Sequence, residues 1–159
     1  FKTAPSADPL RQELTGQLAA ELLLGESAAL YEDLYTRGLI DADFSSGFTR
    51  VPSAAFLQAG GAGCDPEAVL EAILQAPKTS FSPERFARLK KSVRSRLLRE
   101  LDGFESTCYR ICEAIFAGGD CFCEFDLLDS ITLSDTEALL TQTVTPERAA
   151  LSVAAPEEA

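Results

Sequence analysis

Apolar residues recur every three or four positions in five stretches of the chain, a spacing that places them on one face of a helix. Three of these stretches open with a capping residue followed by proline, which is a helix start signal because the first helical N–H has no partner to lose. These start signals are Asp8-Pro9, Asp65-Pro66 and Ser82-Pro83. The pattern predicts five helices, over residues 8–24, 27–38, 65–75, 82–115 and from 132 onward.

The second and fourth predicted helices have the most distinctive patterns. In the second, Tyr31 and Tyr35 share a face and Gly38 is a stop signal, after which the chain passes straight into a strand pattern. Three explanations of this pattern are open: an active site, a partner surface and an ordinary helix-to-strand corner. In the fourth, which is the longest, apolar residues continue at helical spacing to Ile115, and we expect a bend at Gly103.

Short runs of small and apolar residues predict the strands. Residues 44–50 and 54–60 are typical of a hairpin, residues 149–155 alternate like a closing strand, and residues 1–3 resemble a strand end. This order predicts an α+β fold, a two-layer sandwich with helices on one face of a mainly antiparallel sheet of about four strands. The length favours a single domain, residues 1–159. Because the chain begins at Phe1 and contains no Met, we expect it to be a fragment of a larger chain.

The net charge is −11, from 25 acidic and 14 basic residues, and this charge argues against a nucleic-acid surface. No apolar run approaches the ~20 residues of a membrane-spanning helix, so we expect no membrane partner and a cytoplasmic location. The one basic cluster, residues 85–99, lies on a predicted helix. This cluster has two possible roles. It is either a solvated helix face, which is the commoner case, or a groove for an acidic partner.

The five cysteines have no spacing typical of a secreted disulfide scaffold. Cys108 and Cys112 share a helical face, and Cys121 and Cys123 would point to one side of an extended segment, so a metal site is one alternative. The Cys-x-x-Cys pair of structural zinc sites is missing, and no histidine is present. We therefore predict buried, reduced thiols without metal, including Cys64.

The residues of common catalytic sites are missing from the sequence. Without histidine there is no usual base for catalysis near neutral pH. The glycines of residues 60–63 lack the Lys and Ser/Thr of a phosphate loop, and the pairs Asp41/Asp43 and Asp126/Asp129 lack a calcium-loop pattern. From residue chemistry alone the chain is not a complete enzyme, and we predict no catalytic residue, metal site or cofactor within it.

Four stretches, however, resemble a known family: ALYEDLYTRGLIDADFSSGF, DPEAVLEAIL, SFSPERFARLKKSVRSRLLRELDGFES and LLDSITLSDTEALLTQTVTPERAALSVAAP. They are similar to the C-terminal, non-zinc domain of the insulinase (pitrilysin) family of zinc metallopeptidases. The resemblance covers nearly the whole chain and is most specific from Ser82 to Val153. It implies the LuxS/pitrilysin-like α+β domain, two of which form each half of a clamshell around a peptide.

The resemblance also implies where the chemistry lies. In this family an H-x-x-E-H motif on a helix of the N-terminal domain binds zinc and activates its water. This chain has no histidine, so zinc is implied for the parent only if an upstream domain carries the motif. The implied partners are that upstream domain, in the same chain or in a partner subunit, and a peptide substrate.

The same resemblance indicates candidate substrate-binding residues after the second predicted helix. Active relatives have a pattern like L-R-x-x-x-G-L-x-Y there, whose Arg and Tyr reach the bound peptide. In this chain Tyr35 stands where the Arg is expected, Asp41 stands where the Tyr is expected, and Arg37 is a shifted substitute. We therefore interpret Tyr35, Arg37 and Asp41 as candidates, with packing as the alternative role of Tyr35.

Two functions follow from the resemblance. The first is a non-catalytic domain of a zinc-dependent peptidase that helps to enclose and position peptide. The alternative is a scaffold or partner-subunit domain of a catalytically inactive homologue, which the altered Arg/Tyr pair favours.

Overall fold

A computed structural model describes residues 1–51, 53–78, 80–116 and 122–155. Its strands are β1 (Lys2–Thr3), β2 (Ser45–Val51) and β3 (Ala54–Gly60). Its helices are α1 (Pro9–Leu24), α2 (Ala29–Thr36), α3 (Pro66–Gln75), α4 (Pro83–Glu100), α5 (Phe104–Phe116), α6 (Cys123–Ser130) and α7 (Leu133–Thr143). Short 3₁₀ turns follow α3 at Ala76–Lys78 and α7 at Pro146–Arg148.

The three described strands form an antiparallel sheet in the order β1-β3-β2, with β2 and β3 joined as the predicted hairpin. Phe48 of β2 is paired with Leu57 of β3, and both side chains are buried on the face that α1 covers. The residues that follow them, Thr49 in β2 and Gln58 in β3, point to the opposite face of the sheet and are exposed. One buried and one solvated face is the pattern expected for an antiparallel sheet under a helical layer. The α+β fold class is therefore confirmed.

Helix α1 lies at the centre of the molecule, between two clusters of buried side chains. Leu14, Leu18 and Leu22 pack with residues of α4 and α6 in one cluster. Leu23 and Leu24, on another side of the helix, pack with the sheet and with α2, α3 and α7 in the other. Because α1 is apolar on both sides, the single apolar face predicted for residues 8–24 accounts for only one of its two interfaces.

The predicted helix starts are confirmed by their caps. The side chains of Asp8, Asp65 and Ser82 each accept a hydrogen bond from a backbone N–H in the first turn of their helix. Thr132 and Asp135 form a reciprocal capping box at the start of α7. These local bonds satisfy N–H groups that have no partner within the helix, and they are readable from sequence.

The predicted closing strand over residues 149–155 is wrong, because none of these residues is in a strand. Leu151 and Val153, the apolar members of its alternation, are exposed. Alternation shows only that one side of a segment is apolar, and a strand also needs a neighbouring edge. The described sheet accordingly has three strands.

The long fourth helix is two helices rather than one bent helix. It ends at Glu100, and α5 begins at Phe104, where the hydroxyl of Ser106 donates to the carbonyls of Glu100 and Gly103. The apolar positions of α4 reach the core as expected, but those of α5 do not. Phe104, Tyr109, Ile115 and Phe116 are each more than 60% exposed.

The cysteine predictions are corrected in the same region. Cys108 and Cys112 on α5 are exposed, as is Cys64, so these thiols are not buried. Cys123 is the first residue of α6 and does not belong to an extended segment, while Cys121 lies outside the described residues. Cys64, Cys108 and Cys112 are free thiols.

Candidate functional site

The corner that follows α2 contains the three candidate residues. At its centre Gly38 adopts a left-handed conformation with φ +68°. Its N–H donates to the carbonyl of Tyr35 at 2.9 Å, and the N–H of Leu39 donates to the carbonyl of Leu34 at 2.9 Å. This pair of bonds is the Schellman motif, which ends a helix where a glycine supplies the left-handed residue. The change from a helical to a strand pattern after Gly38 is therefore a helix-to-strand corner.

The corner is tied to the loop between β3 and α3. The Sγ of Cys64 lies 3.1 Å from the carbonyl of Gly38, and the N–H of Asp41 donates to the carbonyl of Ala62 at 3.1 Å. Gly61 lies so close to the backbone of Phe44 that a Cβ would overlap it. Such contacts fix the backbone of the corner, so that side chains on it are presented from a rigid base.

The two tyrosines of α2 have different environments. Their rings are stacked, with centroids 6.2 Å apart and planes inclined by 9°. Tyr31 is buried in the core, whereas Tyr35 is 52% exposed. Tyr31 is thus the packing residue of the pair, and Tyr35 offers an aromatic surface to solvent.

Arg37 and Asp41 are also exposed. The Arg37 guanidinium forms a 3.0 Å ion pair with Asp33 one helical turn earlier, and both side chains are more than half exposed. Pairs of this kind contribute only about 0.3–0.5 kcal/mol, so Arg37 is free to exchange its partner. Among the described residues no hydrogen bond or ion pair joins Tyr35, Arg37 and Asp41 to one another. The structure presents them at one corner without assembling them into a preformed set.

A cleft of about 590 Å³ opens at Phe44 and the start of β2, and Tyr35, Arg37 and Asp41 are not among the residues that line it. One wall is the start of β2, with Ser45 and Ser46, and another is α4, with Arg85 and Arg88. Gly25, at the end of α1, lies on a third wall. The volume of the cleft lies within the range of roughly 300–1,000 Å³ typical of ligand sites.

Arg85 is the partly buried cation of the cleft. Its Nη2 donates at 3.1 Å to the carbonyl of Glu21, in the last turn of α1, and this carbonyl also accepts the N–H of Gly25. Burial and then the charge of Arg88 lower the pKa of Arg85, while Glu21 and Glu32 oppose this shift. The cleft therefore holds two guanidinium groups close enough to repel each other. The basic cluster over residues 85–99 was the sequence signal for this cleft, but its second wall was not predicted.

The described residues do not form a zinc site. The chain has no histidine, and no group of three His, Cys, Asp or Glu residues in the described part is arranged to hold a metal ion. Asp43, one of the acids near the corner, accepts a hydrogen bond from the N–H of Ala62 and acts in the turn.

Comparison with known proteins gives one relative by sequence and several by structure. A search against protein-family models found no match. The chain is 28% identical over 142 residues to a Bacillus subtilis (strain 168) protein named uncharacterized zinc protease YmfH. The match covers 87% of this chain but 33% of YmfH, so the chain spans about a third of that relative.

Solved structures support the same relationship. An inactive peptidase domain of a proposed zinc protease from Bordetella parapertussis matches with a TM-score of 0.78 and 17% identity, over 99% of this chain and 91% of that one. A proposed M16-like peptidase from Alicyclobacillus acidocaldarius matches with a TM-score of 0.74 and 22% identity, over 89% of this chain and 35% of that one. The chain has the fold of an M16-like peptidase domain. The resemblance found in the sequence is confirmed.

Two of the stretches that resemble the family hold the candidate residues and the cleft arginines. The stretch around Tyr35, Arg37 and Asp41 forms the corner, and the stretch from Ser82 onward supplies α4 with its two cleft arginines. The cleft brings α4 together with β2, elements about 40 residues apart in sequence.

Among the described residues, no helix combines the length and apolar character that crossing a bilayer requires.

Proposed function

We propose that this chain is a single, non-catalytic domain of a zinc-dependent peptidase, which helps to enclose and position a peptide while the zinc site lies in an upstream domain. The observation that carries this proposal is an M16-like fold without the residues of zinc chemistry. Attack of water on an amide near neutral pH needs a metal or a base, and zinc lowers the pKa of its water to about 7. With no histidine in the chain, this step belongs elsewhere.

The contribution left to this domain is geometric. A closed chamber excludes water and holds an extended peptide against the reacting groups, and good positioning lowers the barrier by several kcal/mol. Exposed Tyr35 supplies an aromatic surface, and Arg37 supplies a cation whose present partner, Asp33, is easily exchanged. Asp41 adds an exposed carboxylate. The rigid corner would let these side chains act without the cost of ordering a loop.

The test combines this chain with a domain that carries the H-x-x-E-H motif and measures hydrolysis of a fluorogenic peptide. We expect hydrolysis only in the mixture, and we expect a chelator to abolish it. Chelator-sensitive hydrolysis by this chain alone would overturn the proposal.

Variants then test the corner. If Arg37 contacts the peptide, Arg37→Ala should raise KM or lower kcat about tenfold, the loss expected for one charge-assisted hydrogen bond. Arg148→Ala is the matched control, because Arg148 is an exposed arginine on the turn after α7. Equal effects of the two variants would leave the corner with a structural role only.

A second candidate function is a scaffold or partner-subunit domain of an inactive homologue. Tyr35 and Asp41 at the positions of the expected Arg and Tyr favour it, as does the inactive domain among the structural relatives. It predicts stable binding to the upstream domain without hydrolysis. For either function we propose a cytoplasmic location, supported by the free thiols of Cys64, Cys108 and Cys112.

A further inference from the structure

Helix α4 concentrates positive charge in an acidic chain. Seven of the 14 Lys and Arg residues lie on it, together with only two acids. Some of the seven are engaged: Arg94 pairs with Asp129 at 2.7 Å, and Lys90 donates to two backbone carbonyls before α7. Arg88 makes no hydrogen bond or ion pair within the described part of the chain. Its side chain is exposed, and it lines the cleft.

Arg85 and Arg88 place two cations on the same wall of this cleft, three residues apart on one helix face. Partial burial and then the charge of Arg88 lower the pKa of Arg85, and Glu21 and Glu32 offset this only in part. The carboxylate of Glu21 lies 3.9 Å from Arg96 and is therefore shared with a third arginine. A bound anion would relieve the repulsion that the protein itself leaves in place.

The remaining walls indicate which kind of anion fits. Ser45 supplies a hydroxyl and backbone groups, while the Ser46 hydroxyl donates to the carbonyl of Ala20. Two acids, Glu21 and Glu26, also line the cleft. These acids make the cleft unfavourable for a dense polyanion, whereas a single carboxylate can lie beside α4. Ser45 and Ser46 also begin β2, an edge strand in the described sheet, which leaves backbone groups on one side for an extended chain.

We propose that this cleft binds an extended acidic peptide segment through a carboxylate side chain, with Arg88 as the principal cation and Arg85 as the second. The net charge of the chain does not prevent this, because charges further away than about 8 Å are largely screened at physiological salt. The inference rests on the proposed function, because it names the class of peptide that the domain positions. It concerns binding alone and does not depend on hydrolysis.

The experiment measures fluorescence anisotropy of a short labelled peptide with blocked ends and two glutamates, using the 159-residue chain. Arg88→Gln should weaken binding about tenfold, the loss expected for one charge-assisted hydrogen bond. Lys91→Gln is the matched control, since Lys91 is exposed on the same helix, carries the same charge and lies outside the cleft. It should change affinity by less than about twofold.

A second variant and a second peptide sharpen the test. Ser92→Glu places a carboxylate one helical turn after Arg88, where it should compete with the peptide and weaken binding as Arg88→Gln does. The same peptide with glutamines in place of glutamates should bind at least about tenfold more weakly. Amide NMR signals of Gly25, Ser45 and Ser46 should shift on binding, because these residues line the cleft.

Three results would overturn the inference: equal losses in Arg88→Gln and Lys91→Gln, equal affinity for the glutamine peptide, or cleft shifts with inorganic phosphate but not with the peptide. These results would leave hydrolysis in the two-domain mixture unaffected, and so would reject this inference alone. Retained peptide binding without hydrolysis in the mixture would instead reject the proposed function.

Discussion

Gly16, in the middle of α1, lies directly against the aromatic ring of Phe48 in β2. A Cβ at Gly16 would overlap the ring carbons of Phe48, so the helix approaches the sheet as closely as a backbone allows. Both residues are buried. This contact joins the helical layer to the sheet at the start of the hairpin, and it explains a glycine in a helix otherwise rich in leucine and alanine.

Replacing Gly16 by alanine should destabilise the protein. Alanine in a helix is favoured by about 1 kcal/mol over glycine, but overpacking a core typically costs about 1–3 kcal/mol, and here it meets an aromatic ring. We expect a net loss of about 1–2 kcal/mol in urea unfolding followed by circular dichroism. Gly47→Ala is the control, since nothing lies within 4 Å of a Cβ there. A rise in the urea midpoint of Gly16→Ala would show that Phe48 moves aside.

Gly38→Ala should weaken the corner through backbone strain alone. Gly38 has φ +68°, and nothing lies within 4 Å of the place that a Cβ would take. The expected cost is therefore the roughly 1–2 kcal/mol of a left-handed alanine. Gly38→Asn should cost less, because asparagine tolerates this conformation. Thermal unfolding of the three proteins should rank Gly above Asn above Ala, and equal stability of the alanine variant would contradict the left-handed geometry.

Arg110 of α5 connects three helices through its side chain. Its guanidinium contacts the carboxylates of Glu100 in α4 and Glu124 in α6, and it is 13% exposed. Burial raises the pKa of Glu124, and Arg110 opposes that rise. Since few apolar residues of α5 reach the core, this ion-pair group is a main attachment of the helix.

The cost of Arg110→Gln should grow with pH. Because the folded pKa of Glu124 lies above its unfolded value, its contribution is most favourable below the unfolded pKa and is lost as pH rises through the folded pKa. Removing Arg110 enlarges that loss. We expect destabilisation of about 1–3 kcal/mol near neutral pH and less in mild acid, measured by urea unfolding at both. Adding Glu124→Gln should restore part of the stability and remove the pH dependence, and a pH-independent cost would contradict this account.

The exposed cysteines give a direct test of the α5 surface. Cys64, Cys108 and Cys112, which are exposed, should react with a maleimide in the folded chain. Peptide mass spectrometry of timed samples identifies each thiol. Protection of Cys108 and Cys112 in the folded chain would show that their face of α5 is covered.

The candidate site was predictable only in part. The corner at Gly38 follows from a local glycine signal, and the exposure of Arg37 agrees with its place after a helix end. Tyr31 and Tyr35 looked equivalent in sequence, yet one is buried and the other is half exposed. Helical spacing defines a face but not its edges, so it cannot say which of two neighbours lies at the boundary of the core.

The sequence by itself determined several local elements: where α1, α3, α4 and α7 begin, where α2 ends, and which two segments form the hairpin. These features depend on caps, proline, glycine and apolar spacing, all of which act over a few residues. Only the tertiary structure decided the contacts between distant segments. It left residues 149–155 out of the sheet, exposed the apolar residues of α5, and brought Arg88 and Ser45 into the lining of one cleft. The reason is that burial and pairing depend on what a surface meets, and an apolar stripe or a free strand has the same sequence whether or not a partner covers it.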